Sequence, residues 1–563
     1  MRIVGTALLF ASSIAGLPAS AEDHYSWGEN SRRFEVVASG AVEFSDDDRD
    51  VKRLSPDGYF RVEESFLLVF SGRWYEVRAD SAGRLSRAYY DHGEQRPLEQ
   101  GQAWLMRAMP EAIRHTALGA GPRLQRILRQ GGPAAALTEI SRIEGDGSKR
   151  VYLEEFVTKS RLAREPLEDA MLQARKIGSD DDKSELLKSV ASFYLKDGLR
   201  EPIFRVAGSI GSDDNRAGVL CEFIDRDPAS HETLRLAAKA ASRIGSDDEK
   251  AKLLVRVAER YNGDREIGRA LLASANTIGS DDERRRVLVA VLASGGKDRD
   301  TLTDLLRAGA GISSDDEKAA VLVQAAPRFL DYDFTRRAFF EAAGSIGSDD
   351  QRRKVLSALL RNPSLTDESL AQVAHCAQSM GSDDEKAGVL VEMAPSLRGA
   401  AARRSFFEAA DSIGSADERK KVLIAASRHA GNNADVFEAA ARSVRRLEAD
   451  DEKAEVLVEL VADHAPTRDD FFAAVDSIGS EDQRYNVLLA VLADRRIVPD
   501  AVVHIIDSTA RMGSDNLKAD ILTKIVQSPA GDNPQVRAAI RQALRSIQSD
   551  GEYRRIMSAY TKQ

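Results

Sequence analysis

A phrase close to Ile-Gly-Ser-Asp-Asp-Glu-Lys-Ala-x-Val-Leu-Val returns about every 34 residues along most of the chain. Its clearest copies begin at Ile177, Ile210, Ile244, Ile278, Ile346, Met380, Ile413, Ile478 and Met512, with looser copies at Ile143, Ile312, Leu447 and Ile547. A fixed period of this length is the mark of a solenoid, in which each unit buries its apolar face only against its neighbours. The expected fold is therefore mainly α: a right-handed α-solenoid of about thirteen 34-residue helical hairpins, preceded by a small antiparallel β domain. Such a fold points to a binding or scaffolding surface before any chemistry is considered.

The signals inside one repeat agree with a hairpin. Between Arg265 and Leu292, the residues Ile267, Ala270, Leu271, Ala275 and Ile278 fall on one helical face. Gly279 is then expected to end that helix in the left-handed conformation. Ser280 follows as the next N-cap, with Glu283 completing a capping box. Val287, Leu288, Val291 and Leu292 form the apolar face of the second helix. Two repeat types alternate, one reading DDEKAxVLV and the other close to DERRxVL. The second type often carries a Phe pair: Phe339-Phe340, Phe406-Phe407 and Phe471-Phe472. Those pairs are either core packing for two seams or a row of exposed aromatic anchors, and the spacing leaves both open.

Residues 1–21 read as a secretory signal. Arg2 precedes a short apolar run from Ile3 to Leu17, and Ala19-Ser20-Ala21 is a small-residue cleavage site. No other stretch is apolar enough to span a membrane, so a periplasmic or secreted location in a bacterial envelope is expected. Residues 22–97 are rich in β-formers, at Arg33–Phe44, Tyr59–Arg78 and Leu85–Tyr90, and predict a sheet of four or so strands. Residues 98–132 predict a helical connector or cap, with helices over Gln102–Leu118 and Arg123–Arg129. Residues 133–563 carry the repeats. The acidic run Asp46-Asp47-Asp48-Arg49-Asp50 reads as a solvated loop.

The candidate chemistry is the acidic cluster that opens each second helix. Stacked repeats would align Asp248, Asp282, Asp316, Asp350 and Asp384 along one edge as a possible Ca²⁺ row. The competing reading is capping of free helical amides plus a charge ladder. In that ladder, Lys250, Arg284, Lys318, Arg352, Lys386, Arg419, Lys453 and Arg484 would meet a neighbouring repeat's Asp. The run lacks the spacing of a dedicated Ca²⁺ loop, so no metal and no cofactor are expected. Cys221 and Cys376 stand several repeats apart and read as small core residues, not a disulfide. The eight histidines, His24, His92, His115, His231, His375, His429, His464 and His504, show no ligand spacing. No nucleophile elbow, P-loop or Cys pair is present, so no enzymatic activity and no catalytic residue are expected. A net charge of −10 argues against a nucleic-acid partner.

The phrase Ile278-Gly279-Ser280-Asp281-Asp282-Glu283-Arg284, followed by Val287-Leu288, resembles a helical repeat of exported bacterial proteins. That repeat is loosely HEAT-like and also occurs beside the metallopeptidase domain of BlaR-type sensors. The segment Val42–Phe60 is similar to the β-rich region preceding those repeats. The metallopeptidase part is absent, so no protease residues carry over. The resemblance implies an envelope-located interaction module in sensing or regulation. The expected function is a non-catalytic scaffold binding a protein or peptide partner through the solenoid, in an undetermined oligomeric state. Two alternatives stand beside it: an enzyme or ligand-binding site in the β domain, and a Ca²⁺-stiffened structural element.

Overall fold

The computed structural model describes residues 22–29, 32–66, 71–196, 198–294, 299–328, 332–429, 433–463 and 469–560. The expected signal segment, residues 1–21, and His464 lie outside them. The chain divides into two compact units, Met1–Ile278 and Gly279–Gln563.

The first unit opens with eight strands, twice the expected number. They are β1 (Glu22–Glu29), β2 (Arg32–Ser39), β3 (Val42–Phe44), β4 (Val51–Leu54), β5 (Tyr59–Phe66), β6 (Ser71–Ala79), β7 (Leu85–Asp91) and β8 (Glu94–Arg96). One antiparallel sheet runs β1-β2-β5-β6-β7-β8, and β3-β4 form a separate ribbon. The stretch Arg33–Phe44 reads as one β-rich segment but breaks at Gly40, whose φ of +77° sends β2 and β3 into different sheets. A Cβ at Gly40 would also collide with the Ser55 side chain.

Alternation along the strands places Val36, Ala38, Phe60, Val62, Tyr75 and Val77 on one buried face. A helix, Leu98–His115, lies on that face and inserts Trp104, Ala108, Met109, Ala112 and Ile113 into the same core. Gly101 permits this approach, since a Cβ there would lie 2.7 Å from the Tyr89 ring. The expected connector helix is thus part of the β-domain core. Trp27 of β1 is sandwiched between Phe34 and His115, at ring distances of 5.3 and 4.4 Å.

The acidic run after β3 is not a purely solvated loop. Asp48, at φ +58°, holds Arg123 at 2.7 Å and also pairs with Arg126. Arg123 is buried and donates as well to Glu139 at 2.8 Å and to the Tyr152 hydroxyl at 3.3 Å. Asp50 accepts from the Tyr75 hydroxyl at 2.8 Å and pairs with Arg87 at 3.1 Å. The fold needs Asp48 and Glu139 to neutralise the buried Arg123 guanidinium where the sheet meets the first helices. Within the helix Ala120–Arg142, Gly132 takes φ +70° and breaks the helical path, so Pro133 opens a new segment.

Helical hairpins follow in both units, each with a first helix, a tight corner and a second helix. In the second unit the second helices pack on one another at regular intervals: Asp315–Ala325, Asp349–Leu360, Asp383–Met393, Ala416–His429 and Asp450–Asp463. The first helices pack unevenly. Asp367–Gln378 lies close along Ala400–Asp411, whereas Ala400–Asp411 meets Ala434–Val444 only lightly. This alternation matches the two repeat types.

The Phe pairs lie inside. Phe339, Phe406 and Phe471 are fully buried, their partners Phe340, Phe407 and Phe472 nearly so, and each pair meets edge to face. The aromatic-anchor reading is thereby overturned, because successive positions on a helix point about 100° apart and both directions here lead into a seam. Cys376 is buried, Cys221 half-buried, and neither is bonded. Burial pushes the Cys376 thiol up to about 11. Replacing Phe406 by Ala is expected to cost about 3–5 kcal/mol. Hydrogen exchange across residues 400–429 should show the loss locally, because a solenoid unit rests only on its neighbours.

Candidate interaction surface

Most of the described corners are built by two side chains from the repeat before them. The first acid of the Ser-Asp-Asp phrase reaches forward and accepts from the two backbone N–H groups at the next corner. Asp213 accepts from Gly245 at 2.9 Å and Ser246 at 2.8 Å. Asp315 accepts from Gly347 at 3.0 Å and Ser348 at 2.8 Å, and Asp349 from Gly381 and Ser382, both at 2.8 Å. Asp180, Asp281 and Asp515 bind the same pair of positions, and Glu481 serves Gly513 and Ser514. These amides are among the unsatisfied donors at a helix start, where the dipole also favours an anion.

This geometry corrects the expectation for the motif glycine. Among the described corners, Gly178, Gly211, Gly245, Gly347, Gly381, Gly414, Gly479 and Gly513 do not take positive φ. The reason for glycine is space. A Cβ on Gly211 or Gly245 would lie 3.0 Å from the incoming carboxylate oxygen, and on Gly513 2.8 Å. The capping box is likewise only half formed. The Ser hydroxyl accepts from the amide three residues on, as Ser246 does from Glu249 at 3.4 Å. The Ser N–H, however, goes to the preceding repeat's Asp, and Glu249 turns to Lys252 at 2.7 Å.

The basic residue three places after that acid reaches for backbone carbonyls, while its charge still acts on the preceding repeat's Asp, as Arg216 does on Asp180 and Lys250 on Asp213. The lysines are buried and donate to the backbone at the end of the next first helix. Lys250 reaches Thr277 O at 3.1 Å, Lys318 Ser345 O at 3.2 Å, Lys386 Ser412 O at 3.2 Å and Lys453 Ser477 O at 3.1 Å. Arginines reach the next corner and, in several repeats, fold back on their own. Arg284 donates to Gly311 O at 2.8 Å; Arg419 donates to Arg446 O at 2.9 Å and to Ile413 O at 3.0 Å. A cation thus closes the carbonyl end of one helix while an anion closes the amide end of the next.

The five aspartates singled out as a possible edge are the other acids of the phrase, and they point outward. Asp248 and Asp350 are more than half exposed and pair within their own helix with Lys252 and Lys354, each at 2.7 Å. Asp282 pairs with Arg285, Asp384 accepts from Ser382, and Asp316 is exposed. Among the described residues, no three His, Cys, Asp or Glu side chains gather in a way that holds a metal ion. His231 lies 3.0 Å from Asp264, and His504 stacks on Phe472 at 4.8 Å. Sequence reasoning missed the forward-reaching acids because two adjacent aspartates look alike on paper.

With corners and seams satisfied internally, the outer face of the second helices remains. In most repeats of Gly279–Gln563 this face carries an apolar residue eight places after the forward-reaching acid position: Val289, Val323, Val391, Ile424, Val458 and Leu489. All are half-buried except Val391 and Val458, which are 38% and 39% exposed. Their helix neighbours Val389, Leu390, Val456 and Leu457 are fully buried, and these two valines are the most exposed large apolar side chains of their helices. Acids flank them: Asp384, Glu392, Asp451, Glu455 and Glu459. Glu455 and Glu459 are held by Lys420 at 2.9 Å and Arg428 at 2.6 Å.

Two clefts open between lightly packed first helices. One of about 500 Å³ lies between Arg164–Ala174 and Arg200–Ala207, and one of about 400 Å³ between Ala400–Asp411 and Ala434–Val444. Both are lined by arginines and acids in similar number. A hollow of about 240 Å³ in the β domain is walled by Asp50, Tyr75, Arg87, Leu98 and Gln102. Asp50, Tyr75 and Arg87 satisfy one another there, and burial pushes the Tyr75 hydroxyl well above its ordinary range.

No protein-family model and no curated protein matches the chain. Among solved structures, it is similar to a circular tandem repeat protein with novel repeat topology. The identity is 15%, the match covers 83% of this chain and 94% of that one, and the TM-score is 0.13. A chain of the Chs5-Bch1 exomer cargo adaptor complex matches at 10% identity, covering 85% and 84%, with a TM-score of 0.16. A chain of the Chs5-Chs6 exomer cargo adaptor complex bound to a portion of Chs3 matches at 9%, covering 92% and 86%, with a TM-score of 0.13. Superpositions this weak carry no argument about what the chain does.

Two expectations follow from the corner geometry. Asp315→Ala is expected to destabilise its junction by about 2–3 kcal/mol, since two charge-assisted bonds are lost. Asp316→Ala should change stability by no more than about 0.5 kcal/mol. Hydrogen exchange on the two variants reads the difference. The second concerns pH. The Gly245 N–H holds the Asp213 carboxyl below its ordinary value. At Asp180 and Asp450, burial pushes upward but the amide donors outweigh it, so both are also lowered. A lowered folded pKa means stability fully present above the unfolded value, about 4, and lost as pH falls through the folded value. Thermal melts should therefore drop steeply from about pH 4 downward, and the drop should be shallower in Asp213→Asn.

Proposed function

We propose that this protein is a non-catalytic scaffold of the bacterial envelope that binds an extended protein or peptide segment along the outer face of its second helices. The observation that carries this reading is the equivalent placement of Val391 and Val458, large apolar side chains left in solvent between fully packed neighbours. Solvent-exposed apolar side chains repeated at one helical position, rimmed by charge, are what a partner interface uses. The internal consumption of polar groups supports the same reading. The forward-reaching acids and their basic companions are spent on stacking repeats, and Asp50, Tyr75 and Arg87 of the β-domain hollow on one another. The apolar start of the sequence, ending in Ala19-Ser20-Ala21, supports an envelope location, as does the resemblance to exported repeat proteins. Among the described residues, no helix is long and apolar enough to cross a membrane.

The test is site-specific photo-cross-linking in the producing cell. Probes at Val391 and Val458 should yield the same adduct, and a probe at the exposed Met106 of the β-domain helix should not. The Val391→Glu, Val458→Glu chain should lose the adducted partner while keeping its melting temperature. Adducts formed equally at all three positions, or at none, would remove the scaffold surface from this face.

A further inference from the structure

One junction of the solenoid lacks the device that joins its neighbours. At the repeat beginning Ile413, the forward-reaching acid is replaced by Ala416. At the next repeat, beginning Leu447, the receiving Gly-Ser pair is replaced by Glu448-Ala449. Donor and receiver are lost together, although they stand more than thirty residues apart in the sequence. Neighbouring junctions keep the contact: Asp383 accepts from Ser415 at 2.7 Å, and Asp450 from Ser480 at 2.6 Å. Ala449 also has no side chain with which to cap the helix it precedes.

What remains at this junction are side-chain pairs, of a kind that the intact junctions carry as well in Arg285–Glu317 and in Asp476 with Ser508. Lys420 meets Glu455 at 2.9 Å and Arg428 meets Glu459 at 2.6 Å, and Glu455 and Arg428 are each about 60% exposed. Asp411 is held by Ser443 and Arg446, while Arg419 still donates to Arg446 O at 2.9 Å. Like charges face each other as well. Burial and Asp417 across the junction push the Glu452 carboxyl up, and its Oε2 is buried without a hydrogen-bond partner. On the first-helix side, the same two repeats are parted by the cleft of about 400 Å³.

We propose that the junction between the repeats at Ile413 and Leu447 is a built-in hinge, which keeps partly exposed ion pairs but lacks the carboxylate–amide bonds that its neighbours add to theirs. Ion pairs in solvent weaken as salt rises, and a carboxylate seated on two backbone amides by direct hydrogen bonds is less sensitive to it. The hinge therefore opens more readily in high salt, and it lies within the Val391–Val458 stretch of the second-helix face.

Thiol labelling of the full chain, with Cys221 and Cys376 replaced by Ala, tests this. Ser427 is fully buried at the junction, and Ala326 and Ala394 hold the same place in repeats with an intact contact. The Ser427→Cys thiol is expected to react at least tenfold faster than those of Ala326→Cys or Ala394→Cys. Its rate should rise further between about 0.01 M and about 1 M salt, and by more than theirs. Adding Ala416→Asp, Glu448→Gly and Ala449→Ser should bring it down to their rate. Equal rates at the three positions, or a rate at position 427 indifferent to salt, would overturn the hinge even if the restored chain failed to fold. An unchanged rate in a folded restored chain would do the same.

Discussion

The solenoid depends on a carboxylate from one repeat seated against two backbone amides of the next. The amides exist because every helix start leaves N–H groups without intrahelical partners. Asp213 on Gly245 and Ser246 meets that need from outside the helix it caps, so satisfying the backbone and joining the repeats are one act. Lys250 does the complementary work at the carbonyl end of the preceding helix. At the corner of Gly347 and Ser348, the acid Asp315 and the base Lys318 come from the same helical turn. Such a corner is gripped at both poles by a single turn of its neighbour, and the second helices are spaced by that grip.

The consequence for function is one of elimination and remainder. Acidic runs and basic rows that look like ligand sites are spent on stacking or paired within one helix. Phe339, Phe406 and Phe471, which look like anchors, fill seams. What remains is an outer face on which Val391 and Val458 are the most exposed large apolar side chains of their helices. Because the first helices pack unevenly while the second helices are evenly spaced, that outer face is the regular surface of the second unit.

The pair Ala416 and Glu448-Ala449 shows how far the sequence is readable once the contact is known. Read alone, each is a blemish in a repeat. Read with Asp315 on Gly347 and Ser348, they are the two halves of one missing contact. The repeat itself, the hairpin with its serine cap, and the β-rich start were open to the sequence because period, capping and alternation are local properties. The strand count was not. Gly40 turns the chain into a second ribbon at φ +77°, and the Ser55 side chain leaves no room there for a Cβ, a contact between segments that no local pattern contains.

The sequence by itself determined that this chain is a stack of helical hairpins, since a 34-residue period with one apolar face per helix has no other way to bury that face. It did not decide which of two adjacent aspartates joins the repeats, why the corner is glycine, or where the buried lysine points. Those answers depend on what the next repeat places within about 3 Å, a distance set by packing. It also left the run from Asp46 to Asp50 as solvent-facing. The tertiary structure alone brought Asp48 to Arg123, because a guanidinium buried between sheet and helix must find a carboxylate wherever the chain can supply one.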